Sequence, residues 1–473
     1  MQVSRTAALR FGEEHFGGAR LGDRRRERRL ASLASEMARH PGGTLPQKVT
    51  SPAELKALYR LMNSDAVTHA AVLEPHVART RERMRSHAGV VLIVHDTTEL
   101  DYTRMKSLAA ALGQIGNGGG RGYKCHNSLA VAAATREVFG LTHQILFCRP
   151  RVPKGETKAA RLARATRESR LWVQGSAATP AAPADRLWVD VADRGADTTE
   201  FLDFEHAQGK SYLVRSQHNR WVLAGHAGEG QRVKLHDWLR AAGEAGRYTL
   251  DVQARGGQAA RRATVAVSWA AMRVLAPRQP RGQQRGTPLA VWGVRVWEVD
   301  PPAGVKAPLE WILLTNVAVT DFAQACERID WYARRWIVEE FHKAMKTGCG
   351  IEEMEFTSPA RLQPAIALVS VVAVFLLTLR DASRQPDSHQ RPATAVVPRA
   401  YATVLSAWRY PPAPGHAPRD LTLHEFFFAL ARLGGHQNRK HDHPPGWLIL
   451  WRGWTQLHAM VQGALAMGAL TCG

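Results

Sequence analysis

The chain has 473 residues, with 63 Lys plus Arg against 42 Asp plus Glu and a formal net charge of +21. A hydrophobic content of 45% excludes global disorder, and five cysteines without CxxC spacing (Cys125, Cys148, Cys326, Cys349, Cys472) exclude a disulfide scaffold and give no support to a structural zinc site. The length suits several domains, the cysteine usage suits a reducing cytoplasm, and the positive excess suits a polyanionic partner, DNA or RNA.

The N-terminus lacks the apolar run of a targeting signal. Residues 1–86 read as helical. Asp23 can cap a helix with Leu30, Leu33 and Met37 on one face, stopped by Pro41-Gly42-Gly43. Ser51-Pro52-Ala53-Glu54 reads as a capping box with Pro at the first helical position. A third helix over 66–85 is expected to break near Pro75.

At Val90 the pattern changes. Residues 90–94 form a buried-strand run that ends in His95-Asp96-Thr97-Thr98. Residues 128–135 and 138–147 suggest a hairpin, and an Arg-rich helix is expected near 158–173. Leu187 to Asp193 reads as another strand, 197–206 as a helix, and 211–215 again as a strand. From 219 to 315 the signal is β, with two period-two segments around the basic loop 278–286. One long helix is then expected from Phe322 to Lys346. The apolar run at 362–379 is short for a bilayer and reads as a core helix. A Pro-rich loop at 384–419 precedes a C-terminal helical pair. His436, His441 and His443 near the tail read as exposed loop residues.

Three acids stand out by position. Asp96 and Asp193 end strands, and Glu339 lies in WYARRWIVEEFHKAMK. Carboxylates at the ends of adjacent strands can converge on hard cations, which take oxygen ligands. Three of them can hold two metals for in-line phosphoryl displacement. Each also has an ordinary explanation: turn caps for the aspartates, a solvated helix face for the glutamate. Asp190, Asp197, Glu99, Asp101 and Glu340 compete locally. Asp190 and Asp193 point to opposite strand faces, which does not choose between them. Tyr332, Arg335, Glu339, His342 and Lys346 recur at helical spacing as one polar stripe.

Tyr332-x2-Arg335-x3-Glu339-x6-Lys346 carries the Y-R-E-K signature and resembles bacterial DDE transposases of insertion-sequence family four, of the Tn-five type. VHDTTELDY around Asp96 and VADRGAD around Asp193 resemble the family's two aspartate motifs. LGDRRRERRL (21–30), RLGG (432–435) and LWRGW (450–454) extend the resemblance over nearly the whole chain.

The resemblance implies an α/β fold with a ribonuclease-H-like catalytic core over 87–360. A β insertion at about 219–315 interrupts that core. A helical DNA-end-binding domain (1–86) and a helical C-terminal dimerisation domain (361–473) flank it. It implies a catalytic and metal-binding triad of Asp96, Asp193 and Glu339, holding two Mg²⁺, with Mn²⁺ able to substitute. It further implies cut-and-paste transposition by a DNA-bound homodimer, through a 3′-hydroxyl, a hairpin end and joining to target DNA.

Tyr332, Arg335 and Lys346 would contact phosphates. Trp311 would stack on a flipped base, Arg215 would lie near the hairpin, and Trp336 would add an aromatic wall. Arg24, Arg25, Arg26, Arg28 and Arg29 would bind transposon ends. The last helix, through Leu457, Val461, Ala464 and Leu465, would serve dimerisation. The rival expectation is a catalytically silent DNA-binding relative or inhibitor.

Overall fold

The computed structural model describes residues 5–152, 155–252, 261–276, 287–302, 305, 308–437, 439 and 445–468. The basic loop 278–286, His441, His443 and Cys472 lie outside the described residues.

Five helices open the chain: α1 (Arg5–Phe16), α2 (Arg24–Arg39), α3 (Leu45–Lys48), α4 (Pro52–Met62) and α5 (His69–Ser86). The Asp23 carboxylate caps α2 by accepting the Arg25 N–H, and Leu30, Leu33 and Met37 are buried as their spacing requires. The box at α4 is only half made. The Ser51 hydroxyl accepts the Glu54 N–H, but the Glu54 carboxylate bonds Arg29 at 2.7 Å instead of reaching back. The break expected at Pro75 does not occur: α5 runs through it. Packing of α5 on the sheet and on a long core helix outweighs the one backbone bond that a proline removes.

The middle of the chain is strand-rich. It contains β1 (Val91–Asp101), β2 (Gly113–Gln114), β3 (Arg121–Ala132), β4 (Val138–Phe147), α6 (Lys158–Ala163), α7 (Leu171–Ala177), β5 (Trp188–Ala192), α8 (Thr199–Ala207) and β6 (Ser211–Arg215). The helix expected over 158–173 is therefore two short helices, separated around a 3-10 turn at Glu168–Arg170. Next come β7 (Trp221–Ala224), β8 (Arg232–Lys234), α9 (Leu235–Ala241), β9 (Gly246–Val252), β10 (Arg261–Val274), β11 (Leu289–Glu298) and β12 (Glu310–Thr315). The stretch read as all β thus contains one helix, α9, too short to give a periodic signal.

The strands join in one mixed sheet of order β2-β3-β1-β5-β6-β12-β11-β10-β7-β8, with β4 on β3 and β9 on β10. At its centre β1, β5 and β6 are parallel. After β6 the chain leaves through β7 to β11 and returns as β12, antiparallel to β6 with Leu313 opposite Arg215.

The expected single helix over 322–346 is broken. It is α10 (Phe322–Ala333), α11 (Trp336–Lys343) and a π-turn at Ala344–Gly348. Beyond it α12 (Pro359–Ala382) is the one helix among the described residues long and apolar enough to cross a membrane. Its most apolar window is 83% buried within the protein, as a core helix is. The expected loop at 384–419 contains a helix, α13 (Arg399–Arg409), and α14 (Leu423–Leu433) and α15 (Trp447–Ala466) complete the fold. Leu457 and Val461 of α15 are buried within this chain, while Ala464 and Leu465 are partly exposed. The fold is mixed α/β, with one large sheet and helices at both ends.

Candidate active site

Parallel pairing of β1 with β5 places His95 opposite Ala192. Asp96 and Asp193 each follow by one residue, so the two carboxylates emerge side by side from neighbouring strands. Asp96 Oδ1 accepts the Thr97 N–H at 2.8 Å. Asp193 Oδ1 accepts the Gly195 N–H at 2.8 Å and caps a 3-10 turn. Gly195 has no room for a side chain: a Cβ would lie 2.4 Å from the Trp172 ring and 3.0 Å from that same Oδ1.

Glu339 arrives from the break between α10 and α11. The break falls at Arg334 and Arg335, where neither Pro nor Gly announces it. It makes Glu339 a first-turn residue of a new helix, where the helix dipole favours an anion. Arg335, at the N-cap, donates from Nη2 to Glu339 Oε1 at 2.7 Å and from Nη1 to Asp96 Oδ2 at 3.3 Å. One guanidinium thus ties two of the three acids. Burial pushes the Asp96 carboxyl up to about 6; Arg335 opposes that shift, while Asp193 and Glu339 add to it. Asp96 therefore feels both of the other carboxylates.

Every local competitor is committed elsewhere. Asp190 is buried against His95 Nε2 (2.6 Å) and Lys210 (3.2 Å). Asp197 accepts from the Ser216 hydroxyl, the Gln217 and His218 N–H groups, and Arg220. Glu340 pairs with Arg380, Glu99 with Lys124 and the Gly116 N–H, and Asp101 with Thr103.

Around the acids lies an aromatic and basic wall. Tyr332 is buried, with its ring edge-on to Trp311 at 5.1 Å. Burial pushes the Tyr332 phenol up, and Arg335 and Arg215 beside it pull it down. Arg215 also donates to the Glu310 carbonyl at 3.0 Å. Half-buried Trp336 has the Arg335 guanidinium 5.5 Å from its ring centre.

The polar stripe expected along one helix is not uniform. His342 is buried against Asn127 at 3.1 Å, and burial drops its pKa to about 3, so it is neutral. Lys346 sits on the π-turn and pairs with Glu352 at 3.1 Å, not with the three acids.

Sequence reasoning missed the support beneath the aspartates. His95 lies on the strand face opposite Asp96. It bonds Asp190 through Nε2 and the Ser128 hydroxyl through Nδ1 (2.9 Å), and so stitches β5, β1 and β3 together. Lys210 Nζ bonds both Asp190 and Ser176. Buried Glu205 is pushed up to about 9 by burial and by the Asp190 charge. The available signal was three polar side chains inside otherwise apolar strand runs.

The N-terminal arginines divide. Arg24, Arg25 and Arg28 are exposed, and Arg25 pairs with Asp23 at 3.0 Å. Arg26 donates to the Leu21 carbonyl at 3.0 Å and Arg29 pairs with Glu54 at 2.7 Å, and both remain partly exposed.

Three carboxylates are the right donors for Mg²⁺ or Mn²⁺. They are not drawn into one coordination sphere: among the described residues no group of three or more His, Cys, Asp or Glu is gathered tightly enough to hold a metal. Arg335 stands between Asp96 and Glu339. The donor chemistry fits a hard cation once that guanidinium yields.

Residues 9–67, covering most of α1 through α4, match the family model described as transposase DNA-binding. The match supports a DNA-binding transposase, and it falls on the segment that exposes Arg24, Arg25 and Arg28.

Proposed function

We propose that the chain is a Mg²⁺-dependent DDE transposase of insertion-sequence family four, with a ribonuclease-H-like core. It would be cytoplasmic and nucleoid-associated, and would act as a homodimer on double-stranded transposon ends and target DNA. One observation carries this reading. Arg335 bridges Asp96 and Glu339, and Asp193 is near enough to Asp96 to raise its carboxyl, while Asp190, Asp197, Glu99, Asp101 and Glu340 have partners elsewhere.

In this reading the three carboxylates hold two ions. When bound, the ions supply charge stabilisation at the scissile phosphate and activation of the attacking oxygen. Arg335, freed from the carboxylates, takes a phosphate oxygen as a bidentate donor. Arg215 and Lys346 add phosphate contacts. Trp311, with Tyr332 fixed edge-on beside it, receives an unstacked base, which offsets the few kcal/mol that unstacking costs. A water frees the 3′-hydroxyl by displacing it from phosphorus. That hydroxyl then attacks a phosphate of the opposite strand and displaces the 3′-hydroxyl of the flanking DNA to give the hairpin. A second water opens the hairpin and restores the 3′-hydroxyl, which attacks a target phosphate and displaces a target 3′-hydroxyl. Residues 1–86 bind ends, 87–360 carry the chemistry, and 361–473 support dimerisation.

The loose spacing of the acids favours a second reading, a silent DNA-binding relative. A magnesium-dependent nicking assay on end-containing DNA separates the two. Wild type should nick and then form hairpins, and Glu339→Gln should bind ends but not cut them. Full cutting by that variant would remove Glu339 from the chemistry. Binding without any cutting by wild type would favour the silent relative.

A further inference from the structure

Trp221 opens β7 and is 43% exposed, one of few large apolar side chains left open among the described residues. Its neighbour β8 is the last strand at that end of the sheet. Antiparallel pairing sets Lys234 opposite Trp221 and Arg232 opposite Leu223, so all these side chains share one face. Lys234 Nζ and the Arg232 guanidinium carbon each lie 4.5 Å from the Trp221 ring centre.

The cations here differ from those around them. Arg220 is taken by Asp197, Arg240 by Glu310 and Arg247 by Glu244. Arg232 and Lys234 pair with no carboxylate among the described residues; the Lys234 ammonium reaches only the Asn219 carbonyl, at 3.3 Å. Two unneutralised charges therefore flank an open indole. Charges at a sheet edge guard it against strand pairing, but guarding does not require an exposed tryptophan.

The platform is also rigid. Asp197 accepts the backbone N–H groups of Gln217 and His218, just before Trp221. The Arg220 carbonyl accepts the Leu235 N–H at 2.9 Å, and the Trp221 carbonyl accepts the Leu275 N–H at 3.3 Å. Little ordering is left to be done when a ligand arrives.

We propose that Trp221, Arg232 and Lys234 form a second DNA contact, separate from the N-terminal arginines. The two cations take backbone phosphates, and the indole takes a sugar or base face. Cations interleaved with an aromatic ring are the chemistry that tracks a nucleic-acid backbone while remaining tolerant of sequence. The inference rests on the DNA-transposase reading, because it commits the surface to DNA.

The test uses the full chain and two fluorescent probes, a duplex and a single strand of the same sequence, titrated across salt. R232Q/K234Q should flatten the plot of log affinity against log salt by about 2 on the duplex, at roughly 0.9 for each phosphate left without its cation. W221A should bind several-fold more weakly with the slope kept, and W221F should restore affinity. The probe whose binding is weakened identifies the strand form.

In the unaltered protein, bound DNA should shield Lys234 from an amine-reactive reagent, a readout that no folding defect can imitate. Wild-type binding that none of these substitutions changes on either probe, with Lys234 labelled equally with and without DNA, overturns the proposal. If wild type binds no DNA at all, the transposase reading falls and this inference falls with it.

Discussion

A Cβ on Gly348 would lie 2.3 Å from the Trp447 ring, so the π-turn that carries Lys346 is packed face to face with α15. On its other side the loop ahead of α3 closes in: a Cβ on Gly350 would lie 2.9 Å from the Gly43 carbonyl, an oxygen that also accepts from buried Lys48. The turn after Glu339 is thus held between the N-terminal segment and the C-terminal helix.

Gly348→Ala should therefore be destabilising, by about 1–3 kcal/mol for an overpacked site. Denaturant unfolding checks this. A midpoint equal to wild type would mean that Trp447 can move aside freely.

Arg335→Lys should cut strand cleavage by about 10²–10³-fold, because one ammonium cannot reproduce the two-pronged grip on phosphate proposed for the freed guanidinium. Single-turnover cleavage of a labelled end measures it. Activity within twofold of wild type would show that the fork is dispensable.

Glu205→Gln isolates a pH effect. The Glu205 carboxyl is raised from 4.5 to about 9, so the native state holds a proton that the unfolded chain gives up. Its contribution to stability is complete below pH 4.5 and is lost as pH rises toward 9. Wild type should therefore lose stability relative to the variant across that window. Parallel stability curves for the two proteins would contradict it.

Among the N-terminal arginines, Arg24→Ala and Arg28→Ala should each weaken DNA binding and lower the salt slope by about 1, with unfolding unchanged. Arg29→Ala should instead cost up to about 1 kcal/mol of stability through its half-exposed pair with Glu54. A salt slope lowered by Arg29→Ala without loss of stability would place Arg29 at the DNA.

Asp193 was legible because a strand stops just before it. Asp96 was legible because the apolar run stops at Val94, although β1 does not end there as expected but continues to Asp101. The choice of Asp193 over Asp190 was not legible. It depends on Lys210 and His95 reaching Asp190 from other strands, which no local pattern records. The break at Arg334 and Arg335 was hidden because both residues are good helix formers and remain helical in backbone angle. The burial of His342 depends on Asn127 of β3, which helical spacing does not record. Arg26 and Arg29 looked equivalent to Arg24 and Arg28, since composition does not say which arginines find an acceptor at home.

The packing of Trp447 against Gly348 also sets an order of assembly. Trp447 is translated after Asp96, Asp193, Glu339 and Lys346. A nascent chain can therefore have its N-terminal helices and its sheet complete while the turn bearing Lys346 still waits for its last wall. A polypeptide abandoned on the ribosome before Trp447 would carry Asp96, Asp193 and Glu339 but lack the wall against which the turn beyond Glu339 packs.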